Sequence, residues 1–324
     1  MKKIALFFVL MFIIVFSFIT GCSTSSPTAA ATAVPTPIGG SSAFVSVPGG
    51  TYTQTDGTTS FNHTISAFKM GKYEVTYELW YTVYKWAVAN GYLFANAGRQ
   101  GSNGDIGKAP ADADYEPVTT VNWRDVIIWC NAFSQKSGLT SVYYSDAGFS
   151  AAIKDSTGGD YSNSLNTTPG SFDNPFVKWN ANGYRLPTEG EWQYAASYID
   201  GANWTPYNYA SGAAGDYNNA TATGLAAWYI ANSEYITHNV GNKTANNLGI
   251  YDMSGNVYEL CWDWYGNYPA ASTDYRGPAS GVLRVLRGGS YHFDADFMQV
   301  GYRYSREPYV ANNLIYGFRF ARSN

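Results

Sequence analysis

Three helix signals, set far apart by stretches rich in Gly, Ser, Asn and Asp, restrict the fold of this chain more than any other feature. Thr76 can cap "YELWYTVYKWAVAN", whose Leu79, Val83 and Trp86 share one face at helical spacing. Asn122 can cap "WRDVIIWCNAFSQKS", with Gly138 as its stop. The sharpest signal is Pro187-Thr188-Glu189-Gly190-Glu191, a Thr-x-x-Glu box ahead of "WQYAAS". In such a box, side chains satisfy the free backbone donors of the first turn. "AFVSVPGGTYTQT" and "HTISAFKMGKYEVT" read as strands from their β-branched and aromatic content. The stretches 92–116, 144–175 and 200–222 read as long surface loops. The expectation is one loop-rich α+β domain over residues 43–324, with no second linker inside it.

The start of the chain sets a location. Met1-Lys2-Lys3 precedes an apolar run from Ile4 to Ile19, short for a bilayer-spanning helix and laid out like a secretory signal. It ends in Ile19-Thr20-Gly21-Cys22, which resembles a bacterial lipoprotein signal, with Ile19 where Leu is usual. That resemblance implies a signal peptide over 1–21, lipidation of Cys22 and a lipid-anchored place in the bacterial envelope, exposed at the cell surface. The alternative is a plain secretory peptide with an incidental cysteine. Residues 22–42 are dominated by Ser, Thr, Ala, Pro and Gly and read as a flexible tether.

A net charge of -4 excludes an extended cationic footprint, so nucleic acid is not an expected partner. Only 14% of residues are charged, whereas Tyr 28 and Trp 10 are high counts that suit either a binding surface or a core. Cys130 and Cys261 either pair in an oxidising envelope or remain buried free thiols.

"FVSVPGGTY", "FKMGKYEVT", "PVTTVNWRDVIIWCNAFS", "GYRLPTEGEWQYAA", "NNLGIYDMSGNVYELCWDWY", "RVLRGGSY" and "GFRF" occur in an order that resembles the formylglycine-generating-enzyme, or sulfatase-modifying-factor, domain. The resemblance implies a C-type-lectin-like fold over about residues 44–322. Oxidases of that family use two cysteines after Arg-Gly-Gly-Ser-Tyr to hold copper, because thiolates are soft ligands for Cu(I). Those places fall at or near Phe293 and Met298, which cannot replace the pair, so no oxidase activity is expected. His63, His238 and His292 are widely separated and read as surface or hydrogen-bonded residues. A hydrolytic Ser-His-Asp set is not excluded by counting, and nothing argues for one.

No cofactor is required on this reading. The family's structural calcium site would place the side chains of Asp252 and Glu259 with the carbonyls of Gly255 and Val257, hard oxygen donors from a tight loop. The alternative is a capped turn in which both carboxylates bond backbone amides. A second calcium site of the family has no clear counterpart around "AWYIANSEYITHN".

The C-terminal block, about 284–320, has a regular frame around an assortment of side chains without helix or strand period. It resembles the variable proteins of diversity-generating retroelements, which use this same fold. There, adenine mutagenesis turns Asn-type codons into Tyr, His, Asp, Ser, Phe, Val or Ile codons. The resemblance implies a diversified ligand site at Tyr291, His292, Phe293, Asp294, Asp296, Phe297, Tyr304, Glu307, Tyr309, Val310, Asn312, Asn313, Leu314 and Tyr316, with Ile315 of the same residue type. Phe318, Phe320 and Tyr302 read instead as core. The expected partner is an unidentified protein or other surface ligand, bound by a monomer held at the membrane through Cys22. A fixed, non-enzymatic envelope module is the second reading, and an unusual oxidase the third.

Overall fold

The computed structural model describes residues 44–111, 115–311 and 314–324. The signal, Cys22 and the tether therefore lie outside the described residues, as do Asn312 and Asn313. The chain begins with β1 (Phe44–Val47), β2 (Gly50–Thr55), β3 (Ser60–Ile65), β4 (Phe68–Gly71) and helix α1 (Tyr77–Ala89). Short strands β5 (Arg99–Gln100) and β6 (Val118–Thr119) precede α2 (Trp123–Lys136). Next come β7 (Tyr143–Tyr144), β8 (Phe176–Val177), β9 (Tyr184–Arg185), α3 (Glu189–Ser197) and α4 (Ala220–Ala226). The last third contributes β10 (Tyr258–Trp264), β11 (Ala271–Thr273), β12 (Arg284–Arg287), β13 (Tyr304–Arg306), β14 (Tyr316–Gly317) and β15 (Ala321–Ser323).

The capping signals place the first three helices. Thr76 accepts from Leu79 N at 3.3 Å, and Asn122 and Asp125 close a reciprocal box at 2.9 and 3.0 Å. Thr188 Oγ1 accepts from Glu191 N at 3.1 Å, while Glu191 Oε2 accepts from Thr188 N at 2.9 Å. Glu191 also pairs with Arg185, so this helix start is tied to β9. The inward face of α1 is Tyr77, Trp80, Val83 and Ala87; Leu79 and Trp86 only flank it. Helix α2 is buried on all sides from Trp123 to Ser134, which makes it the central helix. Helix α4 begins inside the 200–222 stretch read as loop, capped by Asn219 at 3.0 Å from Ala222 N.

Aromatic packing fills the main core. Trp80 stacks on Trp129 with centroids 5.7 Å apart, and Phe318 meets the two rings edge-on at 6.0 and 5.3 Å. Phe318 and Phe320 are core residues as expected, whereas Tyr302 is half-buried at the margin. Cys130 and Cys261 are buried free thiols, which settles that alternative. Two four-stranded sheets organise the rest, in the orders β1-β4-β15-β9 and β13-β12-β10-β14. In the second, β10 pairs antiparallel with β12, setting Glu259 opposite Arg287, and parallel with β14. Among the described residues no helix is long and apolar enough to cross a membrane.

Candidate functional site

The C-terminal block leaves β12 through two glycines held at positive φ, Gly288 at 95° and Gly289 at 74°. A Cβ on Gly289 would lie 2.6 Å from the Phe297 carbonyl, so only glycine lets the returning chain pass this close. The segment that follows is fastened by its backbone. Tyr291 N donates to Asn256 O at 2.9 Å and Ile230 N to Phe293 O at 3.0 Å. Ser233 Oγ donates to Tyr291 O at 2.7 Å and Ser254 Oγ to Met298 O at 2.7 Å. The fully buried Arg287 guanidinium then gathers the carbonyls of Val300 at 2.6 Å, Gly301 at 3.1 Å and Tyr302. Arg284, at the other end of β12, lies 3.4 Å over the Trp264 ring and 3.8 Å over that of Trp123. These clamps fix the path of the chain without using the side chains of 292–297.

Those side chains form a ring-to-ring chain with a polar margin. Phe293 meets Phe297 at 4.8 Å, Phe297 meets Tyr302 at 4.8 Å, and Tyr258 beneath them meets Phe293 at 5.5 Å and Tyr304 at 5.1 Å. Phe293, Phe297, Tyr302 and Tyr304 are half-buried; His292, Asp294 and Asp296 are exposed. Tyr235, 60% exposed, meets the His292 ring edge-on with centroids 5.7 Å apart and extends the face. Burial pushes the Tyr258 phenol well above its ordinary pKa, and its hydroxyl has no hydrogen-bond partner among the described residues.

Not every expected contact residue is on this face. Tyr291 is 4% exposed and Tyr316 1%, both within the main core, and Ile315 is buried beside them. Tyr316 is held there by β14 pairing and by Arg306 Nε, which donates to its hydroxyl at 3.0 Å. Tyr291 and Tyr316 are therefore frame residues, a correction to the sequence expectation. Glu307, Tyr309, Val310 and Leu314 are half-buried on a separate stretch. Tyr309 there lies 5.3 Å from the Arg124 guanidinium, and Asn122 Nδ2 donates to its carbonyl at 3.2 Å. Sequence reasoning missed Tyr258 and Tyr235. Tyr258 sits between Val257 and Glu259, where attention went to oxygen donors and not to the ring.

The copper reading finds no ligands here. Phe293 contributes a ring, and Met298 is fully buried with its methyl group against the Gly289 backbone. Cys130 belongs to α2 and Cys261 to β10, and burial pushes both thiols well up, away from the thiolate a metal needs. His63 accepts from Tyr275 N at 2.9 Å and bonds Gln54 at 2.7 Å, and His238 stacks on Trp228 at 3.7 Å.

The carboxylates of the expected calcium set already have hydrogen-bond partners. Asp252, at φ 54°, accepts from Gly241 N at 2.6 Å through Oδ2, while Oδ1 is buried without a hydrogen-bond partner among the described residues. Burial pushes its pKa up to about 6. Glu259, however, receives Arg319 Nη2 and Nε at 2.6 Å each and Trp192 Nε1 at 2.8 Å. Both oxygens are committed to a buried guanidinium, and a cation on them would have to displace it. The four residues do not fit Ca²⁺ in this arrangement, and Glu259 is corrected from ligand to ion-pair partner. The capped-turn alternative holds for Asp252 and fails for Glu259.

Fold and site together place the chain in a class: the Sulfatase-modifying factor enzyme 1-like domain matches residues 30–324, and the chain belongs to that family. The architecture is the C-type-lectin-like fold of the formylglycine-generating-enzyme type. Among solved structures, Treponema denticola variable protein 1 is similar with a TM-score of 0.64 and 30% identity, covering 87% of this chain and 95% of that one. The resemblance to retroelement variable proteins is thus found again in three dimensions. Chaperone protein LppX of Paenibacillus barcinonensis is 30% identical over 288 residues, 81% of this chain and 83% of that protein. The formylglycine-generating enzyme of Thermomonospora curvata is 32% identical over 126 residues, only 34% of this chain and 39% of that protein. These similarities support a non-catalytic binding module in general.

Proposed function

We propose that this chain is a surface-tethered lipoprotein that binds a protein or other surface ligand through a retroelement-diversified C-terminal face and performs no catalysis. The observation that carries the reading is the division of labour in the C-terminal block. Backbone atoms and buried residues of the frame hold the path, so exchange of the exposed His292, Asp294 and Asp296, and of the half-buried Phe293, Phe297 and Tyr304 for other rings, is expected to leave it in place. A rigid scaffold lowers the ordering cost of binding, and aromatic rings beside exposed carboxylates supply contact area and orientation. Lipid at Cys22 would hold this face outside the envelope, and a monomer suffices for it.

Sequencing the 3′ end of the gene across a growing population tests the proposal. Differences confined to the codons of residues 292–314, matched by adenines in a neighbouring near-copy, are expected. An unvarying end without a near-copy would leave a fixed envelope binding module. Oxygen consumption with a cysteine peptide would overturn the non-catalytic part.

A further inference from the structure

A second concavity lies outside the C-terminal block. It is a cleft of about 290 Å³ near the far end of β10, with Phe176, Trp262, Trp264 and Pro278 in its walls and Trp179 and Arg276 at its edge. None of its lining residues falls between 287 and 320. Tyr258 under the aromatic face and Trp264 in the cleft are six residues apart on β10, roughly 20 Å along a strand.

Arg276 is the one charged side chain in the lining of this cleft. Its guanidinium lies 4.0 Å from the centre of the Trp179 ring, and it makes no hydrogen bond or ion pair with the described residues. Its planar fork of donors stacks on Trp179 and is open to a ligand. Nearby charge is already satisfied. In the adjoining cavity of about 160 Å³, Asp274 accepts from Ser66 N and Oγ at 2.7 Å each, and Glu191 is paired with Arg185 at 2.7 Å. Arg276 also borders that cavity, and its pKa is drawn down by partial burial and by Arg185, against upward pulls from Asp274 and Glu191.

We infer that this cleft binds a carboxylate carried on an apolar or aromatic body, the carboxylate bidentate on Arg276 and the body resting on half-buried Phe176 and Pro278 above the exposed edges of Trp262 and Trp264. A guanidinium matches a carboxylate with two parallel hydrogen bonds, whereas a neutral amide of the same shape loses one of them and the charge. The volume, near the lower end of the range for small-ligand pockets, admits one or two residues and not a long polymer. The site is independent of the diversified face, so it can stand or fall without that reading.

Calorimetry on the full chain in nanodiscs tests it with three probes: acetyl-Gly-Gly-Phe as the free acid, its carboxamide, and 3-phenylpropionate. The acid is expected to bind, and the carboxamide to bind roughly ten- to hundredfold more weakly. Arg276→Gln, at an exposed position, should bring the acid down to the level of the amide with the melting temperature unchanged, and Phe293→Ala should leave its affinity alone. Equal affinity of acid and amide, retention of acid binding by Arg276→Gln, or no acid binding below about 10 mM would each overturn the inference. If phenylpropionate matches the tripeptide, the ligand is a free carboxylate; if the tripeptide binds much more tightly, it is a peptide C-terminus.

Discussion

The frame of the C-terminal block and the segment it encloses handle polarity in opposite ways. In the frame, Arg284, Arg287 and Arg319 are fully buried, each surrounded by carbonyls, rings or a carboxylate. In the enclosed segment, His292, Asp294 and Asp296 face solvent, and the inner contacts run ring to ring. Buried guanidiniums demand full satisfaction, which ties the frame to one geometry. Ring contacts and exposed carboxylates demand little of their neighbours. The difference teaches that the fold is specified by buried, fully satisfied side chains, while the exposed ones carry little of it.

The comparison breaks first at its most polar point. Arg319→Ala leaves Glu259 buried without its partner and is expected to destabilise the chain by about 3–5 kcal/mol, read as a lower urea midpoint. A change below about 1 kcal/mol would mean that the frame does not depend on its buried charges.

A second test uses pH. Burial pushes His63 down to about 4 from its ordinary 6.5, against a smaller upward pull from Asp274, Glu191 and Glu189. The folded chain thus refuses a proton that the unfolded chain accepts. The stabilisation from neutral His63 is full above pH 6.5 and is lost as pH falls through that window toward 4. Melting temperatures taken across the window should fall with pH, and His63→Gln should flatten the slope.

Thr188→Ala removes one side of the α3 capping box and is expected to cost about 1 kcal/mol by denaturant titration. Smallest of all, Asp294→Asn with Asp296→Asn should stay within about 0.5 kcal/mol, because both carboxylates are exposed. A larger loss would place them in the frame and blur the distinction.

Much of the frame was legible in the sequence because its signals are local. Thr76, Asn122 and the Thr188–Glu191 box announce helix starts within four residues, and all three form. Strand β10 was overlooked although Tyr258, Leu260, Trp262 and Trp264 alternate with Glu259, Cys261 and Asp263: residue type does not reveal that both of its faces are buried. The same limit explains Tyr291 and Tyr316, whose residue types suit a contact face equally well and whose burial is decided by partners distant in sequence. Glu259 misled similarly, since Arg319, its partner, lies 60 residues away.

If the C-terminal block is diversified as proposed, the sheet order β1-β4-β15-β9 would give the last strand a part in proofreading. Strand β15 sits between β4 and β9, and Arg319 just before it neutralises Glu259. A copying error that shifted the reading frame or introduced a stop anywhere in the preceding block would delete the strand that joins β4 to β9 and orphan a buried carboxylate. On the proposed reading, substituted copies keep this joint, whereas truncated ones lose it. If the block is diversified as proposed, errors in length would then be removed by failure to fold, and the surviving chains would differ only in their side chains.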